Sequence, residues 1–537
     1  MAQRIQAAII AQKVFVAEAG TGTGKTFAYL APALCSGGKV IISTGTKTLQ
    51  DQLFNKDLPL MRAALHAPIS VALLKGRANY LCPYHLRRAA AEGGFHSREE
   101  VGHLAAIQRF SRHTQSGDKA ECVSVPENAP IWAQVTSTRD SCLGQECPDH
   151  KNCHVLIARR AAMDADLTVV NHHLFFADVM LRDEGVAELL PACNTVIFDE
   201  AHQLPETAAL FFGDSVSTGQ ILDLARDGKA EGLAGARDCL DLQTRLAALE
   251  KAARDLRLAV GMESSRFSAR QLETAPGFDA AMRQLLHEFG ATAAILKTQA
   301  GRSEGLEKCW QRLLELEARF TAWRANPPAG SDDGDGGGKK VRWGETFGAS
   351  LQLNATPLSV AETFTRQMGG HPRAWIFTSA TLAVQGRFDH YQAELGLLDA
   401  ETGCWDSPFD YARQALLYAP QGLPEPNSQG YAEAVAAAAL PLARIARGGV
   451  FFLCTSLKIM RRIHELLQQD LLDHWPNESA RPPLFLQGES SKNELLERFR
   501  RAGNGILVGS QSFWEGVDVR GDALSLVVID KIPFASP

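Results

Sequence analysis

The sequence predicts an α/β protein of two lobes, each built on a parallel, doubly wound sheet, with the first lobe interrupted twice. Three observations carry this reading. First, a short apolar strand, Val14-Phe15-Val16-Ala17-Glu18, runs into the glycine-rich AGTGTGKT (19–26) and then into FAYLAPAL, and a second strand, Lys39 to Thr44, follows with an amphipathic helix around KTLQDQLF. Second, three later apolar strands, LTVVNHH (167–173), NTVIFDEAH (194–202) and RAWIFTSAT (373–381), can join the same sheet only if the stretches between them are insertions. Third, strand and helix patterns alternate again from about residue 412. Such alternation is the mark of strands joined by crossover helices.

The first insertion, 75–165, holds Cys82, Cys142, Cys147 and Cys153, with 12 basic against 10 acidic side chains. The second, 206–372, is rich in Ala, Leu, Glu and Arg at helical spacing (LQTRLAALEKAARDLRLAV, LEKCWQRLLELEARFTAW) and reads as a helical domain. Within it NPPAGSDDGDGGGKK (326–340) reads as a mobile loop. The first lobe is then 1–74, 166–205 and 373–411. The second, 412–537, carries GGVFFLCTS (448–456), LKIMRRIHELLQQ, PLFLQ, KNELLERFR, NGILVGS and LSLVVID (524–530).

Composition narrows the class. A chain of 537 residues is long enough for roughly three to four domains. With 45% hydrophobic and 22% charged residues it has the balance of a globular protein, which excludes wholesale disorder. No apolar run reaches the length of a membrane span, and the N-terminal stretch, broken by Gln12 and Lys13, is not read as a signal peptide. The expected location is the cytoplasm. A net charge of −6 excludes a polycation, so any nucleic-acid binding must use a local basic groove. Eleven scattered cysteines fit metal ligation better than a disulfide framework.

The chemistry begins with Ala19, Gly20, Thr21, Gly22, Thr23, Gly24, Lys25 and Thr26, a P-loop with alanine in the first glycine position. Small residues let backbone N–H groups curl around phosphate at a helix N-terminus; Lys25 would reach the β/γ-phosphates and Thr26 would give its hydroxyl to Mg²⁺. Asp199 and Glu200 close an apolar strand at the same sheet edge. Asp199 would hold Mg²⁺ and Glu200 would polarise the attacking water, so the pair and the P-loop together predict nucleoside triphosphate hydrolysis. The four cysteines follow the spacing Cys82-x59-Cys142-x4-Cys147-x5-Cys153. Four thiolates suit either tetrahedral zinc or a [4Fe–4S] cube, and these spacings lean toward the cube because structural zinc favours tighter pairs. Cys122 reads as a spare thiol, His150, His154, His172 and His173 as solvated or satisfied side chains. Arg77, Arg87, Arg88, Arg159 and Arg160, with Tyr80, Tyr84 and Trp132, could track phosphates and stack unpaired bases or form a solvated basic face.

Asp199-Glu200-Ala201-His202, together with Ser379-Ala380-Thr381 at the end of a later strand, resembles the superfamily 2 helicases. Cysteines between the P-loop and this box, and a helical insertion after it, narrow the resemblance to the XPD/DinG-like iron–sulfur helicases, their bacterial DinG/YoaA branch above all. The match is carried by VVNHHLFFAD, LNATPLSVAETF, AWIFTSATLAV and SFWEGVDVRGDALSLVVIDKIPF and spans almost the whole chain. The resemblance implies two RecA-like lobes, an iron–sulfur cluster insertion and a helical arch. It implies ATP, Mg²⁺ and a [4Fe–4S] cluster as cofactors and a monomer that moves 5′→3′ on single-stranded and forked DNA, with replication or repair proteins as further partners. By the same resemblance Ser43, Thr44 and Thr46 would touch the DNA backbone. Ser379, Thr381 and His202 would couple hydrolysis to movement, and Gln511, Glu515, Gly516 and Asp518 would line the second lobe's face of the ATP cleft or strand path.

Relatives carry a glutamine-containing adenine motif before the position of Met1 and an arginine motif, Q-x-x-G-R-x-x-R, beyond that of Pro537. The resemblance therefore implies a chain cut short at both ends that hydrolyses ATP poorly. The competing expectations are an RNA-dependent ATPase, a non-hydrolysing fragment that binds ATP and nucleic acid, and a protein remodeller with structural zinc.

Overall fold

The computed structural model describes the chain except for residues 94–96, 139–140, 184–188, 262–265, 326–339, 348–349, 370–372, 427, 447, 475–480, 491, 511–512, 515–516, 518, 520 and 533–537. Two compact units emerge: Met1–Gly93 with Thr136–Pro408, and Gly94–Val135 with Phe409–Pro537. The expected insertion 75–165 is thus divided, its four spaced cysteines falling in the first unit and Cys122 in the second.

In the first unit the chain lays down β1 (Val14–Ala19), β2 (Val40–Thr44), β3 (Val71–Leu73), β4 (Leu167–Asn171) and β5 (Thr195–Asp199). It then makes β6 (Asp214–Ser217), β7 (Arg266–Ser268), β8 (Lys340–Phe347) and β9 (Ser350–Pro357), and returns with β10 (Ala374–Ser379) and β11 (Glu401–Trp405). The order β11-β1-β10-β5-β2-β4-β3 makes a seven-stranded sheet whose pairs are all parallel. Its central strands are apolar and β-branched, and β2, β5 and β10 are buried along their whole length, as parallel strands covered on both faces must be. Register aligns their ends: Glu18 lies opposite Ser379, Thr378 opposite Asp199 and Ser43 opposite Phe198. Every residue expected to act on nucleotide in this lobe therefore converges on one sheet edge.

The 206–372 insertion departs from the expectation of a purely helical domain. Long helices are present at Thr218–Gly235, Leu240–Leu258, Phe278–Gln299 and Glu304–Ala325, sharing a core that includes Leu246, Leu285, Phe289, Leu313 and Phe320. They pack with an antiparallel sheet of order β6-β9-β8-β7 that the composition concealed. The inward positions of β8 are Arg342, Gly344 and Thr346, so its alternation is not one of apolar with polar residues. Arg342 is accommodated by donating to the Trp323 carbonyl at 2.9 Å and pairing with Glu273 at 3.0 Å. The segment 326–340 expected to be mobile lies, Lys340 apart, outside the described residues.

In the second unit β12 (Val450–Leu453), β13 (Leu484–Leu486), β14 (Ile506–Gly509) and β15 (Leu526–Ile529) form a parallel sheet of order β13-β14-β12-β15. Helices Tyr431–Ile445, Leu457–His474 and Lys492–Ala502 accompany it, as the sequence predicts.

Candidate nucleotide site

The glycine-rich loop leaves β1 at Ala19 and opens the helix Lys25–Cys35. Gly24 turns the corner at φ +75°, a left-handed conformation that glycine adopts without steric cost. Gly20 is confined by a neighbour instead, since a Cβ there would lie 2.6 Å from the Ser407 backbone nitrogen. The Gly20 N–H donates to the Trp405 carbonyl at 2.9 Å and the Ser407 hydroxyl to that of Thr21 at 2.6 Å. Thr23 folds back, its hydroxyl donating to Gly20 O at 2.9 Å. The loop is held open at a helix N-terminus, with Lys25 and Thr26 as the first helical residues.

Across from it, β5 delivers Asp199 and the chain turns sharply at Glu200, whose φ of +56° is uncommon for a side-chain-bearing residue. Lys25 Nζ reaches Glu200 Oε1 at 2.6 Å and Asp199 Oδ1 at 3.1 Å. Burial works against the Lys25 ammonium, but the two carboxylates outweigh it and raise its pKa above the ordinary lysine value. Burial raises the Asp199 carboxyl. Burial also opposes ionisation of Glu200, yet the His202 hydrogen bond and the Lys25 charge bring it down to about 2. Glu200 takes the shorter of the two contacts with Lys25.

The sequence reading missed the groups that fix Asp199. The Tyr29 hydroxyl donates to Oδ2 at 3.1 Å, and Thr378 Oγ1 to Oδ1 at 3.3 Å. Tyr29 sits one helical turn beyond Lys25, a spacing that could have revealed it. On the other flank Ser379 Oγ donates to Glu200 Oε2 at 3.3 Å and meets His202 Nδ1 at 2.8 Å. Glu18 was also missed. Its Oε2 accepts the backbone N–H groups of Leu382 at 2.5 Å and Ala383 at 2.6 Å, tying the segment after Thr381 to the strand before the loop.

A family model described as DEAD/DEAH box helicase matches residues 2–79, and one described as Helicase C-terminal domain matches residues 439–537. The ATP-dependent DNA helicase YoaA of Escherichia coli is 43% identical over 538 residues, covering 100% of this chain and 82% of its own. The chain belongs to the YoaA/DinG family of helicases. The ATP-dependent helicase DinG of Mycobacterium tuberculosis is 30% identical over 97% of this chain and 79% of its own length. An XPD helicase of known structure shares the fold, with a TM-score of 0.52 at 15% identity over 98% of this chain and 83% of that one. Two RecA-like lobes thus underlie the two parallel sheets.

In this helicase chain the remaining expected positions fare unevenly. Ser43 and Thr44 are fully buried. The Ser43 hydroxyl lies 2.7 Å from His172 Nδ1, and that of Thr44 donates to the Thr46 carbonyl at 3.2 Å. Thr46 caps the helix Lys47–Gln52, accepting from Leu49 N at 3.3 Å. The Thr381 side chain is exposed. Gln511, Glu515, Gly516 and Asp518 lie outside the described residues.

The four spaced cysteines occupy helix and turn boundaries: Cys82 precedes the helix Pro83–Glu92, Cys153 precedes His154–Asp164, and Cys142 and Cys147 flank the turn Gly144–Glu146. Burial pushes the Cys82 thiol up to about 11, with Cys147 and Cys153 near enough to add to it. Burial also raises Cys147, which feels Cys142 and Cys153. The four thiols are thus near enough to influence one another. No set of three or more His, Cys, Asp or Glu among the described residues is gathered tightly enough for a single metal ion. Cys122, buried beside Ser124 at 3.8 Å, feels none of them.

Two of the three aromatic side chains that could stack bases are enclosed. Tyr80 and Trp132 are buried, and Trp132 donates its indole N–H to the Pro126 carbonyl at 2.9 Å. Tyr84 donates to Glu231 at 3.2 Å, while Arg87 forks onto Asp149. Arg88 faces Asp227 at 3.4 Å and Glu231 at 3.8 Å. Tyr84 and Arg88 thereby join the cysteine-bearing segment to the helical insertion, while the Arg87 pair stays within that segment.

Proposed function

We propose that the chain is an ATP-dependent DNA helicase that couples Mg-ATP hydrolysis to 5′→3′ movement on single-stranded DNA and to the opening of forked duplexes. The observation that carries this reading is the clasp of Lys25 by Asp199 and Glu200 at the carboxyl edge of the seven-stranded sheet. In the resting site Lys25 neutralises the two carboxylates. Nucleotide phosphates, cradled by the N–H groups of residues 20–26, take Lys25 over and release Glu200 to polarise water. Thr26 and Asp199 would hold Mg²⁺, which neutralises phosphate charge when bound. Tyr29 and Thr378 keep Asp199 aimed. Ser379 and His202, both on Glu200, are placed to sense its state and pass it on.

Cys82, Cys142, Cys147 and Cys153 would hold a [4Fe–4S] cluster, whose role is to staple four separated turns into one rigid body. The spacing of the four cysteines and the mutual influence of their thiols support this reading.

The test is ATP turnover with and without single-stranded DNA or RNA of equal length, followed by unwinding of duplexes bearing a 5′ or a 3′ tail. Stimulation by DNA above RNA and opening from the 5′ tail are expected. Absence of DNA stimulation would overturn the helicase reading, and opening from the 3′ tail alone would overturn the polarity.

A further inference from the structure

His172 is the first residue of the helix His172–Asp183, directly after β4. The sequence suggests a solvated or satisfied histidine, and solvated it is not. Its ring is fully buried and Nδ1 lies 2.7 Å from Ser43 Oγ. The ring is held against Phe198 with centroids 5.9 Å apart. Next along the chain from Phe198 come Asp199 and Glu200; burial lowers the ring's pKa, and hydrogen bonding to the backbone of Glu200 and Asp199 works against that fall. One imidazole thus touches the end of β2, where the Ser43–Thr46 turn begins, and the turn that aims the two carboxylates.

Glu200 is held in an uncommon left-handed conformation, which persists only where its surroundings impose it. A turn so constrained, with a buried ring packed against it, forms an element that a small displacement can shift. We propose that His172 is a positioning residue that transmits movement of the Ser43–Thr46 turn to the Glu200 backbone, and so links nucleic-acid engagement to the orientation of the carboxylate that activates water. The proposal rests on the helicase reading. Movement of β2's end pulls the ring through its short bond to Ser43. The ring then shifts against the Asp199–Glu200 backbone, and Glu200 leaves its resting contact with Lys25.

The experiment measures ATP turnover of the protein with and without single-stranded oligodeoxythymidylate, for the parent and for His172→Phe, His172→Asn and His172→Gln. Phe keeps a ring without nitrogens. Asn places an amide nitrogen near the Nδ1 position, and Gln places one nearer Nε2, out of reach of Ser43. His172→Phe is expected to lose about tenfold of the DNA stimulation, on the scale by which small misplacements cost rate, with basal kcat and KM for ATP unchanged. His172→Asn should restore most of the stimulation and His172→Gln should not. Should the Phe variant fail to fold, the Asn and Gln pair carries the comparison. Full stimulation in Phe or Gln, or basal and stimulated rates falling together in every variant, would overturn the proposal. A parent that does not respond to DNA at all would remove the helicase reading, and this inference with it.

Discussion

Lys25 is shared between two carboxylates, and its replacement separates binding from chemistry. Lys25→Ala removes the ammonium that the phosphates would take over, a charge-assisted contact whose loss should weaken Mg-ATP binding about 10–100-fold by titration calorimetry. Glu200→Gln keeps the shape and leaves Lys25 paired with Asp199, so nucleotide should still bind. Turnover should fall by about 10²–10⁴, as for loss of a positioned base, and a variant of normal rate would reassign that role. His172 supplies the pH dependence. Burial drives its pKa from 6.5 to about 3, so between those values the unfolded chain binds a proton that the folded one refuses. Stability is therefore full above the unfolded value and falls as pH drops from about 6.5 toward 3, by up to roughly 1.4 kcal/mol per pH unit. His172→Asn should flatten the dependence of the melting temperature on pH in that window, and an unchanged slope would assign the titration elsewhere.

At the scale of elements, the P-loop and the strand ending in Asp199-Glu200 could be read directly, because each is a local pattern whose chemistry lies in its own residues. What could not be read depends on partners remote in sequence. Tyr29 and Thr378 meet at Asp199 from three separate segments, and Glu18 grips Leu382 and Ala383 some 364 positions away. The antiparallel sheet in the helical insertion was hidden because β8 turns an arginine, a glycine and a threonine inward. Arg87 and Arg88 were hard to read for a related reason: sequence shows their charge but not the carboxylates that meet it. Asp227 is the centre of that meeting, accepting from Arg312 at 2.8 Å and Arg88 at 3.4 Å, all three side chains largely buried. Asp227→Ala leaves two guanidinium groups with poor access to water. It should destabilise the first unit by on the order of 3 kcal/mol in urea unfolding, and a change under about 0.5 kcal/mol would mean that the arginines find water instead.

For the whole molecule, the proposed cluster is the most decisive quantity. Protein purified without oxygen should contain about four irons with matching sulfide per chain, and Cys142→Ser should lose both the visible colour and strand separation. One zinc and no iron would leave the nucleotide site intact and remove the cluster.

The strand order of the main sheet also bears on how such a protein comes to exist. β10 lies between β1 and β5 yet is made long after both. On a ribosome adding about 5–20 residues per second, the strand that leads into the P-loop would wait roughly 20–70 s for this neighbour. Through that interval β1 has neither of its partners, β10 and β11, and β5 shows one bare side, so three apolar edges stand as templates for pairing with another chain. The two long insertions thus lengthen the lobe's exposure during birth, and such a lobe is suited to a chaperone that shields strand edges until residue 379 has emerged.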